Sequence, residues 1–397
     1  MLLAADTARW DALAAARTRG DVGDGIASVL ALLGRPDVIS FAGGFPDPET
    51  FPRGRIAALL QDFLAESEVS AFQYAPTRGL AATLEAFAGR LERHQGRRPA
   101  DGELMVTSGA IEALELIGKA FLDPGDPVVV EAPTYLGSIQ SFRSFEAALV
   151  AVTVDADGLD VEEFERLLAG GLNPKVVYTI PDHQNPSGVT LSAERRAALV
   201  RLARRHSLLL VEDVAYRELS FDGGALPSLW SLAPDAVVQT GTTSKTFCPG
   251  VRLGWAAGPV EVVARLIDAK QLTDQCAGAL GQRLFAESER RGWIDEQLER
   301  SRALYHRKGE RLLAALERWM PESARWTTPT GGFFSWLTLP GIDSVALAAR
   351  AAEAGVAVVP GTLFFPDGRG GDALRLSFSL VDEEQIDEGI ARLGSLL

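Results

Sequence analysis

Residues 239–255 read QTGTTSKTFCPGVRLGW, and the interpretation of the whole chain starts from this stretch. It places one lysine, Lys245, in a run of Gly, Thr and Ser between two apolar segments, 236–239 and 251–256. A lysine in such a turn is expected to be partly enclosed. Because desolvation disfavours the ammonium form, its amine is available as a nucleophile near neutral pH.

The same stretch offers several donors for a phosphate. The hydroxyls of Thr242 and Ser244 precede Lys245, and Arg252 follows it by seven residues. A lysine that can attack a carbonyl, beside groups that can bind phosphate, favours a Schiff base with a phosphorylated aldehyde. The alternative is a surface loop with a solvated lysine.

Strand-like and helix-like segments alternate ahead of this stretch. This pattern predicts an α/β fold, with a mostly parallel seven-stranded sheet between helices. The predicted strands are 104–107, 127–131, 149–154, 175–180, 208–211, 236–239 and 251–256, and the predicted helices are 80–94, 110–121, 136–146, 161–168 and 193–206. The last strand follows the Lys245 turn after too few residues for a helical crossover, so we expect it to be antiparallel to its predecessor.

A second, smaller α+β domain is predicted after this sheet. The segment 259–319 has helical periodicity broken only near 290–292, and suits a long helix that leads into that domain. Strands at 333–339, 356–359 and 374–379 and helices at 344–354 and 382–396 complete it. We expect an N-terminal arm at 1–45, a large domain at 46–290 and a small domain at 291–397.

Composition and charge narrow the function. The 397 residues are 47% hydrophobic and 23% charged, as in an ordinary globular enzyme. The net charge of -14 argues against nucleic acid or an anionic membrane as a partner. We find neither a membrane-spanning run nor a signal peptide, and the scattered histidines predict no metal site. Two cysteines without metal-ligand spacing fit a reducing cytoplasm.

Three strand ends carry residues suited to a ligand, because ligands of open parallel sheets bind beyond the carboxyl ends of the strands. Gly109 opens a helix after the first strand, and helix N-termini bind anions. Asn185 precedes a proline, which holds its backbone out of the helical region. Asp213 ends a buried strand, where a carboxylate needs a cationic partner.

Asp213 is the candidate for a carboxylate that pyridoxal phosphate, a phosphorylated aldehyde, requires. Pyridoxal phosphate needs a carboxylate beside its ring nitrogen, because that nitrogen must stay cationic to draw electrons from the substrate. Glu212, the preceding residue, points to the other face of the strand.

Nine motifs together carry a family resemblance. From about Ser40 to the C-terminus, the chain resembles fold-type-I pyridoxal-phosphate aminotransferases of class I/II, with the aspartate-aminotransferase-like fold. It is most similar to the branch of bacterial 2-aminoadipate aminotransferases and the aminotransferase-like domains of MocR regulators. In chain order the motifs are SFAGGFPDPETFP, QYAPTRG, TSGAIEAL, EAPTYLGSIQ, IPDHQNPSG, VEDVAY, TTSKTFCPGVRLGW, PTGGFFSWL and LRLSFS.

The resemblance implies a role for each site residue. Lys245 would form the Schiff base with pyridoxal phosphate and then move the proton at the substrate's α-carbon. Asp213 would hold the ring nitrogen, Asn185 and Tyr216 would donate to the ring's phenolic oxygen, and Tyr135 would stack on the ring. The phosphate would be bound by Gly109, Ala110, Ile111, Thr242, Ser244, Arg252 and, from a second subunit, Tyr74. Arg375 would bind the substrate's α-carboxylate near Gly44, with Asn185 beside it.

The implied reaction is a ping-pong exchange between an L-amino acid, which is aromatic, branched-chain or aminoadipate-like, and a 2-oxo acid such as 2-oxoglutarate, in a homodimer with shared active sites. Many members of the 2-aminoadipate branch have an arginine on the N-terminal helix where this chain has Ala27 and Ser28. This difference argues against a dedicated acidic substrate. Phe45, Phe364 and Phe365 suggest an apolar pocket for aromatic or branched-chain amino acids.

Three other functions remain to be weighed. The first is a different pyridoxal-phosphate reaction, such as β-elimination, cyclisation or oxidation in a biosynthetic pathway. The second is a ligand-sensing domain without turnover, which the acidic charge and the short segment ahead of Ser40 disfavour. The third is a nicotinamide enzyme, which lacks support because no G-x-G-x-x-G follows a strand.

Overall fold

The structure is a computed structural model that describes residues 10, 12–18, 37–66 and 69–397. The positions of Ala27 and Ser28 lie outside these residues. Its helices are α1 (Arg53–Ala65), α2 (Ala81–Gln95), α3 (Ala110–Phe121), α4 (Leu136–Ser144), α5 (Val161–Ala169), α6 (Ala193–His206), α7 (Leu229–Leu232), α8 (Val260–Gln271), α9 (Ala279–Arg290), α10 (Trp293–Trp319), α11 (Ser344–Glu353) and α12 (Glu383–Gly394).

Three sheets contain the strands of the described residues. The strands are β1 (Ile39–Ser40), β2 (Leu104–Thr107), β3 (Pro127–Ala132), β4 (Ala148–Asp155), β5 (Gly158–Leu159), β6 (Val176–Thr179), β7 (Leu209–Asp213), β8 (Val237–Thr242), β9 (Gly254–Ala257), β10 (Arg325–Trp326), β11 (Phe334–Thr338), β12 (Val356–Ala357), β13 (Val359–Pro360) and β14 (Ala373–Ser377). The large sheet has the order β2-β9-β8-β7-β6-β3-β4-β5.

The large sheet is mostly parallel, as predicted. β8, β7, β6, β3 and β4 run parallel, and β9 is antiparallel to both of its neighbours, β2 and β8. All seven predicted strands are present. The described residues add an eighth strand, β5, which has two residues and pairs antiparallel with β4.

The central strands are buried on both faces because their residues alternate between two apolar clusters. Val211 in β7 and Tyr178 in β6 belong to one cluster, and Leu210 and Val177 belong to the other. Asp213 lies two residues after Val211 and therefore on the same face of β7, which is also the face of Tyr178.

A second sheet is built from the C-terminal part of the chain. Its order is β10-β11-β14-β13, and its paired strands are antiparallel. β1 pairs in parallel with β12, and Ser377 N donates to Phe41 O at 2.8 Å, so residues near the start of the described chain join this part of the molecule. The domain boundaries at 45 and 290 stay a prediction.

The prediction of a helix at 259–319 with one break was wrong. The break near 290–292 is present, but residues 272–278 interrupt the helix a second time, between α8 and α9. There the Lys270 carbonyl oxygen accepts from the backbone N–H groups of Thr273, Asp274 and Gln275, and Gln275 has a φ of 69°. This tight turn ends α8. The predicted strand at 356–359 is also divided, because β12 pairs with β1 and β13 pairs with β14.

Candidate active site

A cavity of about 250 Å³ lies where the parallel strands of the large sheet end. Segments that follow β3, β6, β7 and β8 reach this edge, which is where open parallel sheets bind their ligands. The predicted site residues that line the cavity are Gly44, Ala110, Ile111, Tyr135, Asn185, Asp213, Tyr216, Thr242, Ser244, Lys245, Arg252 and Arg375.

Lys245 lies in the turn between β8 and β9. Phe247 N donates to Thr243 O at 2.9 Å and closes the turn, and Lys245 Nζ donates to Gly44 O at 2.9 Å. Burial, together with the positive charge of Arg375, lowers the pKa of Lys245 to about 8. A substantial fraction of this amine is therefore neutral near physiological pH.

Asp213 is buried at the end of β7. Its Oδ2 accepts from the Tyr178 hydroxyl at 2.9 Å, and its Oδ1 accepts from Ala215 N at 3.1 Å. Burial raises the pKa of Asp213 to about 6, while the Tyr178 hydrogen bond opposes that rise. Within the described chain no lysine or arginine forms an ion pair with Asp213, so the carboxylate has room for a cation.

The phosphate donors predicted around Lys245 lie together. Thr242 Oγ1 donates to Ser244 Oγ at 2.9 Å, so the two hydroxyls lie side by side. Arg252 Nη1 lies 3.5 Å from Ser244 Oγ. Backbone N–H groups at the start of α3, at Ala110 and Ile111, line the cavity as well. Together they form a cradle suited to an anion.

Gly109 does not line the cavity itself, but the cradle depends on it. This residue has a φ of 99°, and a Cβ atom at this position would lie 2.9 Å from Arg252 Nη2. The absence of a side chain therefore allows the guanidinium group to approach the N-terminus of α3.

Arg375 enters the cavity from β14. Its Nη1 donates to Asn185 Oδ1 at 3.1 Å and its Nη2 donates to Ala42 O. Its guanidinium carbon lies 4.7 Å and 4.8 Å from the ring centroids of Phe334 and Phe364, and burial lowers the pKa of Arg375 to about 10. Its Nε is buried without a hydrogen-bond partner, which suits a bound carboxylate.

Two tyrosines flank the cavity. Tyr216 is buried, with its ring edge-on to those of Phe333 and Phe334 at centroid distances of 5.5 Å and 5.6 Å. Tyr135 precedes α4, and a Cβ atom at Gly137 would lie 2.4 Å from its Cζ. Burial raises the pKa of both phenols, so they remain hydrogen-bond donors at neutral pH.

Tyr74 is the predicted site residue that lies away from the others. Its side chain is 79% exposed, and it does not line the cavity of its own chain. Its role in a second subunit stays a prediction.

Two buried residues beneath the cavity were missed. Tyr178, the hydroxyl partner of Asp213, looks in sequence like any large residue of a buried strand. Glu131 at the end of β3 accepts from Thr179 Oγ1 at 2.5 Å, Ile180 N at 3.2 Å and Gln184 Nε2 at 2.8 Å. Burial raises the pKa of Glu131 to about 7. It ties β3 to the loop that carries Asn185, and a charged residue in an otherwise apolar strand was the available signal.

The apolar wall was predicted in part. Phe45 and Phe364 line the cavity as expected, and Leu136 and Val359 lie beside them. Phe365 does not line it. No sequence pattern connects Leu136 with Val359, since the cavity brings them together from distant parts of the chain.

The residues present fit pyridoxal phosphate. The cavity contains an amine with a lowered pKa, a buried carboxylate without a cationic partner and a cradle for an anion. The described residues contain no cluster of three or more His, Cys, Asp or Glu placed to bind a metal ion. Nor does any helix in the described part of the chain have the length and apolarity to cross a membrane.

Comparisons with known proteins show the family of the chain. A family model described as aminotransferase class I and II matches residues 36–393. The chain is 41% identical over 377 residues to the 2-aminoadipate transaminase of Thermus thermophilus, covering 94% of this chain and 93% of that protein. It is 37% identical over 378 residues to the aromatic-amino-acid aminotransferase 1 of Thermococcus litoralis, covering 94% and 91%. The crystal structure of Pyrococcus horikoshii kynurenine aminotransferase in complex with PMP has a TM-score of 0.89 and 38% identity over 93% of each chain.

Proposed function

The chain belongs to the class I and II aminotransferases and is a pyridoxal-phosphate-dependent transaminase, and on that premise we propose its substrates and the roles of its site residues. The proposed reaction moves the amino group of an L-amino acid with an aromatic or other apolar side chain to a 2-oxo acid, with 2-oxoglutarate as the acceptor to test first. The two substrates bind the same cavity in turn, as a ping-pong mechanism requires.

The cofactor when bound supplies an aldehyde that takes up the amino group and a cationic ring that withdraws electrons from the substrate's α-carbon. Lys245 would hold it, since Lys245 is the only lysine among the described residues that line the cavity. Once released by the substrate's amine, Lys245 Nζ would accept the α-proton and return it. Its pKa of about 8 suits both directions of that transfer.

Asp213 would keep the ring nitrogen protonated, because a buried carboxylate favours a neighbouring cation. The Tyr178 hydroxyl and Ala215 N hold Asp213 in place. Asn185 and Tyr216 would donate to the ring's phenolic oxygen, and Tyr135 would cover one face of the ring. The cradle of Ala110, Ile111, Thr242, Ser244 and Arg252 would bind the phosphate.

Arg375 would bind the α-carboxylate of the substrate with two parallel hydrogen bonds. Binding of a carboxylate satisfies the buried Nε and replaces part of the hydration that the guanidinium lost on burial. Gly44 O, which accepts from Lys245 Nζ in this structure, lies next to this position. The reacting α-carbon would then lie between Arg375 and Lys245.

The proposed preference for a donor with an apolar side chain follows from the residues that line the cavity. Phe45, Leu136, Val359 and Phe364 line the substrate end of the cavity. Besides Arg252 and Arg375, the described lining residues include no arginine, so a second carboxylate on the donor has no evident partner there. An aromatic or branched side chain would instead bury apolar surface, at about 25 cal/mol per Å².

We also propose that the working unit is a cytoplasmic homodimer. Tyr74 is exposed, and the exposed apolar side chains of Leu64, Val69, Phe72 and Leu272 offer surface that a second copy would cover. In such a dimer each Tyr74 would complete the phosphate cradle of the partner subunit.

The observation that carries the proposal is the single cavity in which Lys245, Asp213, Arg252 and Arg375 meet from four segments of the chain. The test is a spectral screen of the purified holoenzyme with individual amino acids in the absence of an acceptor. We expect phenylalanine, tyrosine or leucine to bleach the cofactor's visible absorption and release one 2-oxo acid per site. Release of ammonia, consumption of oxygen or no bleaching with any amino acid would contradict transamination.

A further inference from the structure

A buried lysine lies behind the phosphate cradle, outside the cavity. Lys270, on α8, is fully buried, and its Nζ contacts both carboxylate oxygens of Glu112 at 2.7 Å and 2.8 Å. The same ammonium contacts both oxygens of Asp274, each at 2.9 Å. Lys270, Glu112 and Asp274, here called the Lys270 cluster, are not among the predicted site residues and have no role in the proposed function.

The two carboxylates of the Lys270 cluster hold one residue, Ser108. Ser108 N donates to Glu112 Oε2 at 2.6 Å, and Ser108 Oγ donates to Asp274 Oδ2 at 3.0 Å. Both donors of Ser108 are thereby turned away from the cavity. The next residue is Gly109, where the cradle begins.

Ser108 also connects the cluster to the arginine of the cradle. Arg252 Nη2 donates to Ser108 O at 3.3 Å, and the same nitrogen lies close to the position of a Cβ atom at Gly109. The cluster therefore holds the peptide that separates Arg252 from the first N–H groups of α3.

The Lys270 cluster contains one ammonium and two carboxylates, so it includes more negative than positive groups. Glu112 lies in the first turn of α3, where a carboxylate interacts favourably with the helix dipole but occupies the end of the helix that would attract the phosphate. Without Lys270, the largely buried carboxylate of Glu112 and the partly exposed carboxylate of Asp274 would face a phosphate across Ser108. Salt screens the charge of Glu112 only in part, so its repulsion would weaken phosphate binding.

We propose that Lys270 is a positioning residue for the cofactor's phosphate. Its ammonium offsets one of the two negative charges of Glu112 and Asp274, and this allows them to fix Ser108 and the start of α3 with less repulsion of the phosphate. The inference rests on the proposed function, because it assumes that the cradle binds the phosphate of pyridoxal phosphate.

The test compares pyridoxal phosphate with pyridoxal, which has the same aldehyde and ring but no phosphate. Their dissociation constants are measured by absorbance titration of the apoprotein. In Lys270→Met, we expect the dissociation constant of pyridoxal phosphate to rise by about tenfold or more, and that of pyridoxal to change by less than about twofold. In the triple variant K270M/E112Q/D274N, which removes both carboxylates with the ammonium, pyridoxal phosphate should bind within about threefold of the wild type.

Lys308 provides a matched control. It is 2% exposed, and its Nζ contacts Asp47 Oδ2 at 2.6 Å and Ser379 O at 3.1 Å. Lys308→Met removes an equally buried ammonium that does not contact the cradle. It should lower the free energy of unfolding without changing the ratio of the two dissociation constants. Denaturant unfolding of every variant shows which ones are folded.

If Lys270→Met does not fold, Ser108→Ala takes its place, since it breaks only the contact with Asp274. We expect this variant to bind pyridoxal phosphate about threefold more weakly, with pyridoxal unchanged. Equal losses for both ligands, or no loss for pyridoxal phosphate, would overturn the proposed role of Lys270. A wild-type protein that binds neither ligand would instead overturn the proposed function.

Discussion

At the scale of single residues, the site contains buried ionisable side chains whose hydrogen-bond partners are neutral groups. Asp213 is held by a phenol and a backbone N–H, and Lys245 by a carbonyl oxygen. Neither has an ion-pair partner within the described residues, and burial shifts the pKa of each toward neutrality. Each group is therefore able to gain from the charge that a ligand brings.

Tyr178→Phe should weaken the charge of Asp213. Losing a hydrogen bond to a carboxylate costs about 1.5–3 kcal/mol, so the pKa of Asp213 should rise further above about 6. Because Asp213 acts as an anion, a higher pKa moves the acid limb of the pH profile of kcat/KM upward, by about one pH unit. Tyr305→Phe is the control: it removes another buried hydroxyl, the acceptor for Asp47 N, and should leave the profile in place. An unchanged acid limb in Tyr178→Phe would contradict this role.

Arg375→Lys should raise the KM for the amino acid by about 30-fold or more, because one ammonium cannot replace a two-pronged contact worth about 2–3 kcal/mol. The absorption spectrum of the bound cofactor should not change, since Arg375 faces the substrate end of the cavity. Steady-state kinetics and spectra of the two proteins check both statements. A KM within about threefold of the wild type would show that another group binds the carboxylate.

The lowered pKa of Lys245 predicts how the apoprotein captures pyridoxal. Only the neutral amine attacks an aldehyde, and a pKa of about 8 makes it the main form above that pH. The capture rate, followed by stopped-flow absorbance, should rise with pH, reach half of its maximum near pH 8 and become constant about one pH unit above that. A lysine in water would show a rate still rising at pH 10, and such a result would contradict the burial of Lys245.

At the scale of elements, the N-terminus of α3 and the turn between β8 and β9 form the cradle together. Gly109→Ala should disturb both, because its φ of 99° is unfavourable for alanine and its Cβ atom would lie 2.9 Å from Arg252 Nη2. We expect a loss of about 1–2 kcal/mol in the free energy of unfolding and weaker binding of pyridoxal phosphate.

Gly54→Ala is the control for that substitution. Gly54 lies in α1, and a Cβ atom there would have no neighbour within 4 Å. Alanine should leave the stability unchanged or raise it by about 0.5–1 kcal/mol. Equal effects of the two substitutions in denaturant unfolding would contradict the strain at Gly109.

Local patterns were sufficient to predict most elements. β2, α3 and α6 begin and end where periodicity and capping residues predicted, because each is bounded by a turn and has its own apolar face. The interruption at 272–278 was not predictable from periodicity, because the helices before and after it, α8 and α9, are both amphipathic. A side-chain contact between Lys270 and Asp274 accompanies the interruption. The strand β5 was missed because its two residues are too few to show an alternating apolar and polar pattern.

The chemistry of the site followed from strand ends and from the family resemblance. Lys245, Asp213 and Asn185 each lie beyond a predicted strand, so topology alone brings them to one edge. Tyr178 in β6 and Lys270 in the last turn of α8 are buried residues, and sequence does not separate a buried side chain that supports a site from one that only packs. Their roles depend on which neighbour each side chain meets in three dimensions.

At the scale of the whole molecule, the cavity needs both sheets. The large sheet contributes Asp213 and Lys245, the second sheet contributes Arg375, and Ala42 O near the start of the described chain accepts from Arg375. Thr327 Oγ1 donates to Ser187 O at 2.6 Å, which connects the loop of Asn185 to the C-terminal part. The spacing between cofactor and substrate groups is therefore set by the packing of distant parts of the chain.

The proposed homodimer predicts complementation between two inactive variants. Lys245→Ala removes the amine of a subunit's own site, and Tyr74→Ala removes the phenol that the subunit gives to its partner. A hybrid dimer of the two has one complete site, so mixing and refolding them should restore part of the activity. A mixture no more active than its components would place Tyr74 in its own subunit's site or outside both.

The connection between β8 and β9 carries Lys245 and Arg252, the proposed attachment lysine and phosphate arginine, on one antiparallel turn. Its length is fixed at both ends, because Thr242 pairs with Gly254 and Gly241 pairs with Trp255. Natural descendants of this gene should therefore keep the number of residues between Lys245 and Val251, and should vary their identity only at the less buried positions, since Phe247 lies in the core. One inserted or deleted codon there would separate the two functions, whereas insertions elsewhere on the surface would leave both intact.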